Sequence, residues 1–541
     1  MRNKNFSISI VLLIMVSLLL SGCFGKTSGS ANDQENQSGR KGSEKKILRV
    51  SIVGEAEKLD PHWSATTPEV TVVFPIYNGL VRFAPGTVDL EQIEPDLAES
   101  WESNEDKTVW TFHLRKGVKW HKGYGELTSE DVKWSYERVM DPKTGSPWQS
   151  EYTNVDSVKT DGDYTVIFSL KHPDSGFLMK VLNYHGGNIV NRKAIEEFGD
   201  NHMNNAIGTG PFMLEEYRTQ DRVVLVKNPE YFRGDPKLDG IDFIMMDDST
   251  AIEVAVENGQ LHIGNGLSDK NWVEQKKQSN KFEIEVPDPK VLRAIYLNMS
   301  KEPFDDIRVR QAFSYALDAP EYVEGYLGTI AASLPTSPLP SSYFGSTDVE
   351  MIGYNPEKAK ELLREAGYDA GLILPKQYIT TDKNHLDVAI WVQDKLRKVG
   401  IEMPLEQVDH ATYHANIRQD LNNIVVYGYV RQPYLDFPLS QFFYGPSSVG
   451  KDTAVTNFIH YDKVDDLIDK ARVMTDLEEQ KQLYKQIVEQ INKDVVAIPI
   501  AEEGHPFMRR LEVDLGYDTK NGTFGSMFDG YPIYEITDLK E

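Results

Sequence analysis

A mixed α/β fold spread over several domains is what this sequence predicts, on three observations. Strand-like and helix-like segments alternate from Ile47 onward, punctuated by Gly, Pro, Asn and Asp turns, with no fixed-period repeat. The stretch from Leu372 to Val430 has the pattern of a β-α-β-α-β unit. The chain is also too large for one core: 541 residues, 40% of them hydrophobic and 10% aromatic, against ~150 residues per domain.

The elements follow in chain order. Arg2 and Lys4 form a positive start, Phe6 to Leu20 is apolar, and Leu20, Ser21 and Gly22 lead into Cys23, which reads as a signal peptide over residues 1–22. The apolar run falls short of the ~20 residues of a membrane-spanning helix. The sequence LSGC resembles a bacterial lipobox, which implies that Cys23 is the lipidated first residue of the mature chain. Two acyl chains on it suffice for stable anchoring. Residues 23–46 are rich in Gly, Ser, Asn, Gln, Lys and Glu with almost nothing apolar, so they are expected to be a flexible tether. Leu48 to Val53 is a β-branched strand, and Thr108 to Leu114 alternates as a half-buried strand does. Asp305 or Asp306 opens a helix carrying Val309, Ala312, Phe313, Ala316 and Leu317 on one face. Asn355 as N-cap, Pro356 at the first helical position and Gly367 as terminator bound another. In the 372–430 unit, helices near Asn384–Val399 and Ala411–Leu421 separate strands at Leu372–Thr380, Ile401–Val408 and Ile424–Val430. Right-handed crossovers make such strands parallel, and ligands bind beyond their C-terminal ends. That places the loop after Val408 and the run Gly428 to Asp436 on a binding edge.

Charge and chemistry exclude several classes. With 58 Lys and Arg against 83 Asp and Glu, the formal net charge of −25 repels a phosphate backbone, so no nucleic acid is expected. A single cysteine permits neither an intramolecular disulfide nor a cysteine metal site. The run GPSSVGKD from Gly445 to Asp452 imitates a phosphate-binding loop, but Asp452 stands where magnesium needs Ser or Thr. The 12 histidines look scattered, His410, His414 and His460 included, and no H-E-x-x-H pair occurs. No G-x-S-x-G elbow appears either. No cofactor, no metal and no enzymatic activity are therefore expected, with a secreted hydrolase as the alternative from a different class. Trp101, Trp110, Trp120 and Trp134 read as core, whereas Tyr429, Tyr434 and Phe437, grouped with polar residues at the strand edge, suit a small-molecule cleft.

Seven stretches taken together resemble the extracytoplasmic solute-binding proteins of peptide ABC importers, the oligopeptide- and dipeptide-binding family 5. They are LDPHWS (Leu59 to Ser64), PDLAESWE (Pro95 to Glu102), WTFHLRKGVKWHKG (Trp110 to Gly123), LTSEDVKWSYERVMDP (Leu127 to Pro142), GTGPF (Gly208 to Phe212), KNPEYFRGDPKLDGI (Lys227 to Ile241) and PFDDIRVRQAFSYALD (Pro303 to Asp318). The resemblance implies a two-lobed periplasmic-binding-protein-like α/β fold with three domains hinge-joined around a ligand cleft. Domain I would be discontinuous (47–92, 201–291 and 503–541), domain II would span 93–200, and domain III, the ligand-engaging lobe, 292–502. It further implies a monomeric, lipid-anchored extracytoplasmic receptor that captures di- or oligopeptides and delivers them to a membrane permease and its ATPase subunits. The alternative is a non-peptide solute such as a metallophore complex or an oligosaccharide.

The resemblance also nominates residues. The peptide backbone would pair with Ala65, Thr66 and Thr67 on one side and with Gly428, Tyr429 and Val430 on the other, a sequence-blind mode of recognition. His410 takes the place of a frequent tryptophan, and Asn384 and His385 precede a pocket-lining helix. Gln432 stands where many relatives carry the aspartate that receives the ligand's amine. Either Asp436 replaces it, or Arg431 and His410 select an anionic or neutral group.

Overall fold

The computed structural model describes residues 45–182, 184–287, 291–429, 433–450, 456–519 and 533–540. Cys23, the tether up to residue 44, and Val430, Arg431 and Gln432 lie outside the described residues. Among the described residues no helix is long and apolar enough to cross a membrane.

Three sheets organise the chain. The first has seven strands in the order Phe282–Glu285, Phe507–Arg510, Ile263–Asn265, Ile47–Ile52, Gly240–Met245, Arg222–Lys227 and Phe212–Arg218, drawn from segments far apart in sequence. Its first strand buries Leu48, Val50 and Ile52 completely. Helix α1 (Thr67–Val73) starts with Thr66 as N-cap in a reciprocal capping box with Glu69.

The second sheet is antiparallel, in the order Ala98–Ser103, Val109–Leu114, Thr165–Leu170, Val155–Thr160. Trp110, Phe112 and Leu114 face its core, as their alternation requires, and Trp120 is buried with them, whereas Trp101 and Trp134 are only half-buried.

The third sheet carries the candidate site. Its antiparallel order is Ala332–Ser333, β5, β1, β4, where β1 is Val291–Leu297, β4 is Ile424–Tyr429 and β5 is Ala497–Glu503. Every residue of β1 and β5 is buried. β5 ends at Glu503 and Phe507 already belongs to the first sheet, so the strands at the centre of this sheet are those that join it to the rest.

Beside it, β2 (Gln377–Thr380) and β3 (Leu405–Val408) pair in parallel, flanked by α2 (Lys383–Lys398) and α3 (His410–Arg418). This corrects the expectation of a parallel β-α-β-α-β unit. The first crossover is parallel, but β4 leaves the pair and joins β1 antiparallel, because Val425 and Val426 are buried on a strand that must complete the third sheet. Helix α4 (Asp436–Phe442) follows β4, and α5 (Leu477–Asp494) precedes β5. One cluster of buried apolar side chains runs without interruption from the second sheet to the third.

Candidate functional site

The C-terminal ends of β2 and β3 and the end of β4 bring polar groups together, built outward from β1. Arg293 lies opposite Gly428 on one side and Ala501 on the other. Only 4% exposed, it binds the Glu503 carboxylate through Nη2 (2.8 Å) and Nε (3.2 Å). Burial works against its charge, but Glu503 outweighs it and raises the Arg293 pKa. The guanidinium crosses β4 where that strand has no side chain: a Cβ on Gly428 would lie 2.5 Å from Nη1.

Beyond Gly428, Arg293 Nη1 donates to His385 Nε2 at 3.3 Å, and His385 Nδ1 donates to Asp382 Oδ1 at 2.6 Å. Asp382 caps α2, which fixes the imidazole in the first helical turn. Burial and the neighbouring guanidinium lower the His385 pKa, and the hydrogen bond from His385 holds Asp382 down to about 2. The result is a hydrogen-bonded chain, Glu503, Arg293, His385, Asp382, running from the junction strands to the end of β4.

Next to it stand two more histidines. Asp409 caps α3, so His410 is its first residue and His414 follows one turn later. Their Nε2 atoms are 3.1 Å apart, and His410 Nδ1 lies 3.2 Å from Thr380 Oγ1. Burial, with the charges of neighbouring groups, lowers the His414 pKa to about 4, so it is a neutral imidazole. Tyr413 donates to the Val426 carbonyl at 2.7 Å and locks α3 to β4. Tyr427 faces His385 and His414 at centroid distances of 6.3 and 5.9 Å. The histidines that look scattered in sequence therefore converge, because β2, β3 and β4 end at one place.

Of the nominated residues, Gly428, His385 and His410 meet here, with Asn384 in the first turn of α2 and Tyr429 closing β4. Ala65 and Thr66 do not present free amides, as edge pairing through them requires: the Glu69 carboxylate accepts both, at 2.8 and 3.1 Å, and Thr67 is already helical. Asp436 is engaged as well. It receives Arg472 Nε at 3.0 Å, and that guanidinium also binds Ser440 Oγ and lies over Tyr444.

Tyr434 points elsewhere. It packs on Gly176, beside the second sheet, and takes a hydrogen bond from Gln480 Nε2 (2.7 Å), which also reaches Ser175 Oγ (3.1 Å). Sequence reasoning missed Arg293, Glu503, Asp382 and Thr380. The signal for the first was present: an arginine inside the apolar run VLRAIYL demands a buried partner.

Comparison with known proteins agrees with this architecture. The family model of bacterial extracellular solute-binding proteins, family 5, middle region, matches residues 92–451. The chain is 27% identical to the oligopeptide-binding protein AppA of Bacillus subtilis, over 91% of this chain and 92% of that protein. Among solved structures, it is 35% identical to MoaA of A. tumefaciens R10, in complex with mannopinic acid, covering 92% of this chain and all of that one with a TM-score of 0.80. It is 25% identical to DppA of Helicobacter pylori, in complex with the peptide STSA, covering 92% and 98% with a TM-score of 0.76.

Proposed function

Because the chain belongs to the family 5 bacterial extracellular solute-binding proteins, which are the solute-binding receptors of ABC importers and not enzymes, we propose that it captures peptides, di- or oligopeptides, in a cleft between two lobes for uptake. One observation carries the reading. β4 is an edge strand of the third sheet among the described residues, and it ends at Gly428 and Tyr429 beside the Arg293–His385 chain and the histidines of α3. Along β4 the Ile424 amide already donates to Gln377 and the Val426 carbonyl accepts from Tyr413, so the part of the edge left to pair with an extended backbone of any sequence is the strand's end at Gly428 and Tyr429, where the adjoining polar groups fix its orientation. The names of AppA and DppA, an oligopeptide-binding protein and a protein solved with a peptide, support the same cargo. On this reading the three sheets are the cores of domain I (47–92, 201–291, 503–541), domain II (93–200) and domain III (292–502). Domain III is the ligand-engaging lobe, and residues 65–67 meet the ligand from the other side once Glu69 releases the amides of Ala65 and Thr66.

A second reading rests on Asp436. Its carboxylate is held by Arg472, so no free acidic group in the described part of the 428–436 loop awaits an ammonium. Together with the likeness to MoaA, solved with mannopinic acid, this favours an acidic, non-peptide solute. Calorimetry separates the two. Free and N-acetylated di- and tripeptides and mannopinic acid are titrated into the mature protein. Binding of peptides, bettered at least tenfold by a free amine, supports the peptide receptor, whereas binding of mannopinic acid alone overturns it.

Anchoring through Cys23 is proposed from the LSGC motif. Cys23→Ser is expected to shift the protein from the membrane fraction to the soluble one without changing its melting temperature. Unchanged membrane fractionation would refute the anchor.

A further inference from the structure

His385 is held between two groups that fix where its proton sits. The ionised Asp382 carboxylate cannot donate and takes Nδ1–H at 2.6 Å, so Nε2 is left as the acceptor that meets Arg293 Nη1 at 3.3 Å. A guanidinium has no acceptor and stays charged at any pH the protein meets. Neutral His385 therefore closes the chain from Glu503 to Asp382, whereas protonated His385 sets two cationic donors against each other at that contact.

The surroundings give an extra proton one partner and several opponents. On its own helix Asp382 faces the ring, and Asp387, further along, is paired with Lys383. Arg293 faces it from β1, with Glu503 of β5 behind that guanidinium and Tyr322 near enough to feel its charge. From α3 come His410 and Tyr413, at ring-centroid distances of 6.1 and 6.2 Å, with His414 and Arg418 further along the same helix. From β4 comes Tyr427 at 6.3 Å. Among the described residues, Asp382 is the one carboxylate bonded to the ring. Burial, Arg293 and His410 oppose the charge, and Asp382 only partly offsets them, so the His385 pKa is lowered from 6.5.

Opening this contact has a place to act. Nη1 lies over Gly428, where no side chain resists it, and the other side of the guanidinium is tied to Glu503, the last residue of β5. The next residue, Gly504, is fixed on both sides: its amide donates to the Ala331 carbonyl at 2.7 Å, and its carbonyl accepts Ser268 Oγ at 2.8 Å. A guanidinium repelled by His385 therefore moves against the end of β4 or pulls on the junction after β5. We propose that His385 is a proton-sensitive latch: neutral, it holds Arg293 and keeps the end of β4 in shape for solute, and protonated, it opens the chain and lets solute go. This rests on the receptor reading and adds a regulation to it. Solute and proton then compete, so affinity is complete above pH 6.5 and falls as the pH drops.

The test has two arms on the mature chain, each with wild type, His385→Gln and the control His113→Gln, whose imidazole is exposed. Without solute, nitrogen–proton correlation spectra of the histidine-labelled protein are expected to show, for the signal lost in His385→Gln, an unprotonated Nε2 at pH 7.5 and a titration midpoint below 6.5. A proton on Nε2, or a midpoint at or above 6.5, overturns the latch. Trialanine and mannopinic acid are then titrated by calorimetry at pH 7.5 and 4.5. Wild type and His113→Gln are expected to lose affinity at least fivefold at the lower pH, and His385→Gln less than twofold, because a glutamine carbonyl accepts from Arg293 but takes up no proton. A wild type indifferent to pH, or a His385→Gln that loses as much as wild type, also overturns it. If neither solute binds wild type at pH 7.5, the receptor reading fails for these cargoes, and the imidazole titration alone decides the latch.

Discussion

At the scale of single residues, the site depends on an absence. Gly428 is a glycine because the Arg293 guanidinium fills the space its side chain would need, 2.5 Å from the Cβ position. Gly428→Ala must push that guanidinium away from Glu503 and His385, and overfilling a packed site costs about 1–3 kcal/mol. The variant is expected to melt at a lower temperature and bind solute at least tenfold more weakly. Unchanged calorimetric affinity would show that the Arg293 chain does not shape the ligand edge. His121 gives a pH prediction. Only 2% exposed, it donates Nε2–H to the Gly210 carbonyl at 2.9 Å and accepts the Gly208 amide on Nδ1, stitching the loop after Trp120 to GTGPF. Burial lowers its pKa from 6.5 to about 4. The folded protein therefore resists a proton that the unfolded chain accepts. The associated stability is complete above pH 6.5, falls by roughly 3 kcal/mol as pH drops toward 4, and changes no further below. His62 and His262, held to about 4 by burial, act in the same direction. Urea midpoints at pH 7.5 and 4.5 should show His121→Gln destabilised at the higher pH, with its deficit shrinking at the lower. A deficit independent of pH would contradict the neutral imidazole.

At the scale of elements, helix boundaries were legible and strand partners were not. Asn355 accepts the Lys358 amide and Gly367 takes a positive φ of 94°, as Asn-Pro and a terminal glycine imply, because capping is decided within a few residues. The pairing of β4 with β1 joins segments more than a hundred residues apart, and no local pattern states it. The same limit hid a buried charge cluster that ties the C-terminal segment to the body. Arg233 binds Glu535 at 2.7 Å and also Asp96. Arg82 binds Glu535 as well, and Tyr231 donates to it at 2.5 Å. Burial works against the Glu535 charge, but Arg233 and Arg82 prevail and hold its pKa to about 2. Removing Arg233 leaves Glu535 with Arg82 but takes from the fully buried Asp96 the cation bound to it, and breaking a buried pair from one side costs about 3–5 kcal/mol. Arg233→Ala should therefore lower the calorimetric melting temperature more than Arg218→Ala, whose partners are exposed. Equal shifts would mean that the cluster contributes little.

At the scale of the whole molecule, the segment that follows the ligand edge also closes the gap between the second and third sheets. Tyr434, 8% exposed, sits against Gly176, where a Cβ would meet its ring at 2.7 Å, and the fully buried Gln480 bonds both Tyr434 and Ser175. Nothing in DSGF or QPYLD announces this contact, since each becomes meaningful only when the other is placed opposite. Tyr434 lies a few residues past β4 and already docks against Gly176, so a solute held at the end of β4 is expected to be coupled to closure through this short stretch of chain. Gly176 has an ordinary φ of −88°, so a larger residue there strains no backbone and only denies space to the ring. Gly176→Leu should keep the far-ultraviolet circular dichroism of wild type but lose the decrease in radius of gyration seen by small-angle X-ray scattering when the tightest solute of the calorimetric series is added, with at least tenfold weaker binding. Adding Tyr434→Ala removes the clash and should restore part of the contraction. A Gly176→Leu protein that contracts as wild type does would show that closure proceeds without this contact, and the coupling would have to run through the junction strands β1 and β5 instead.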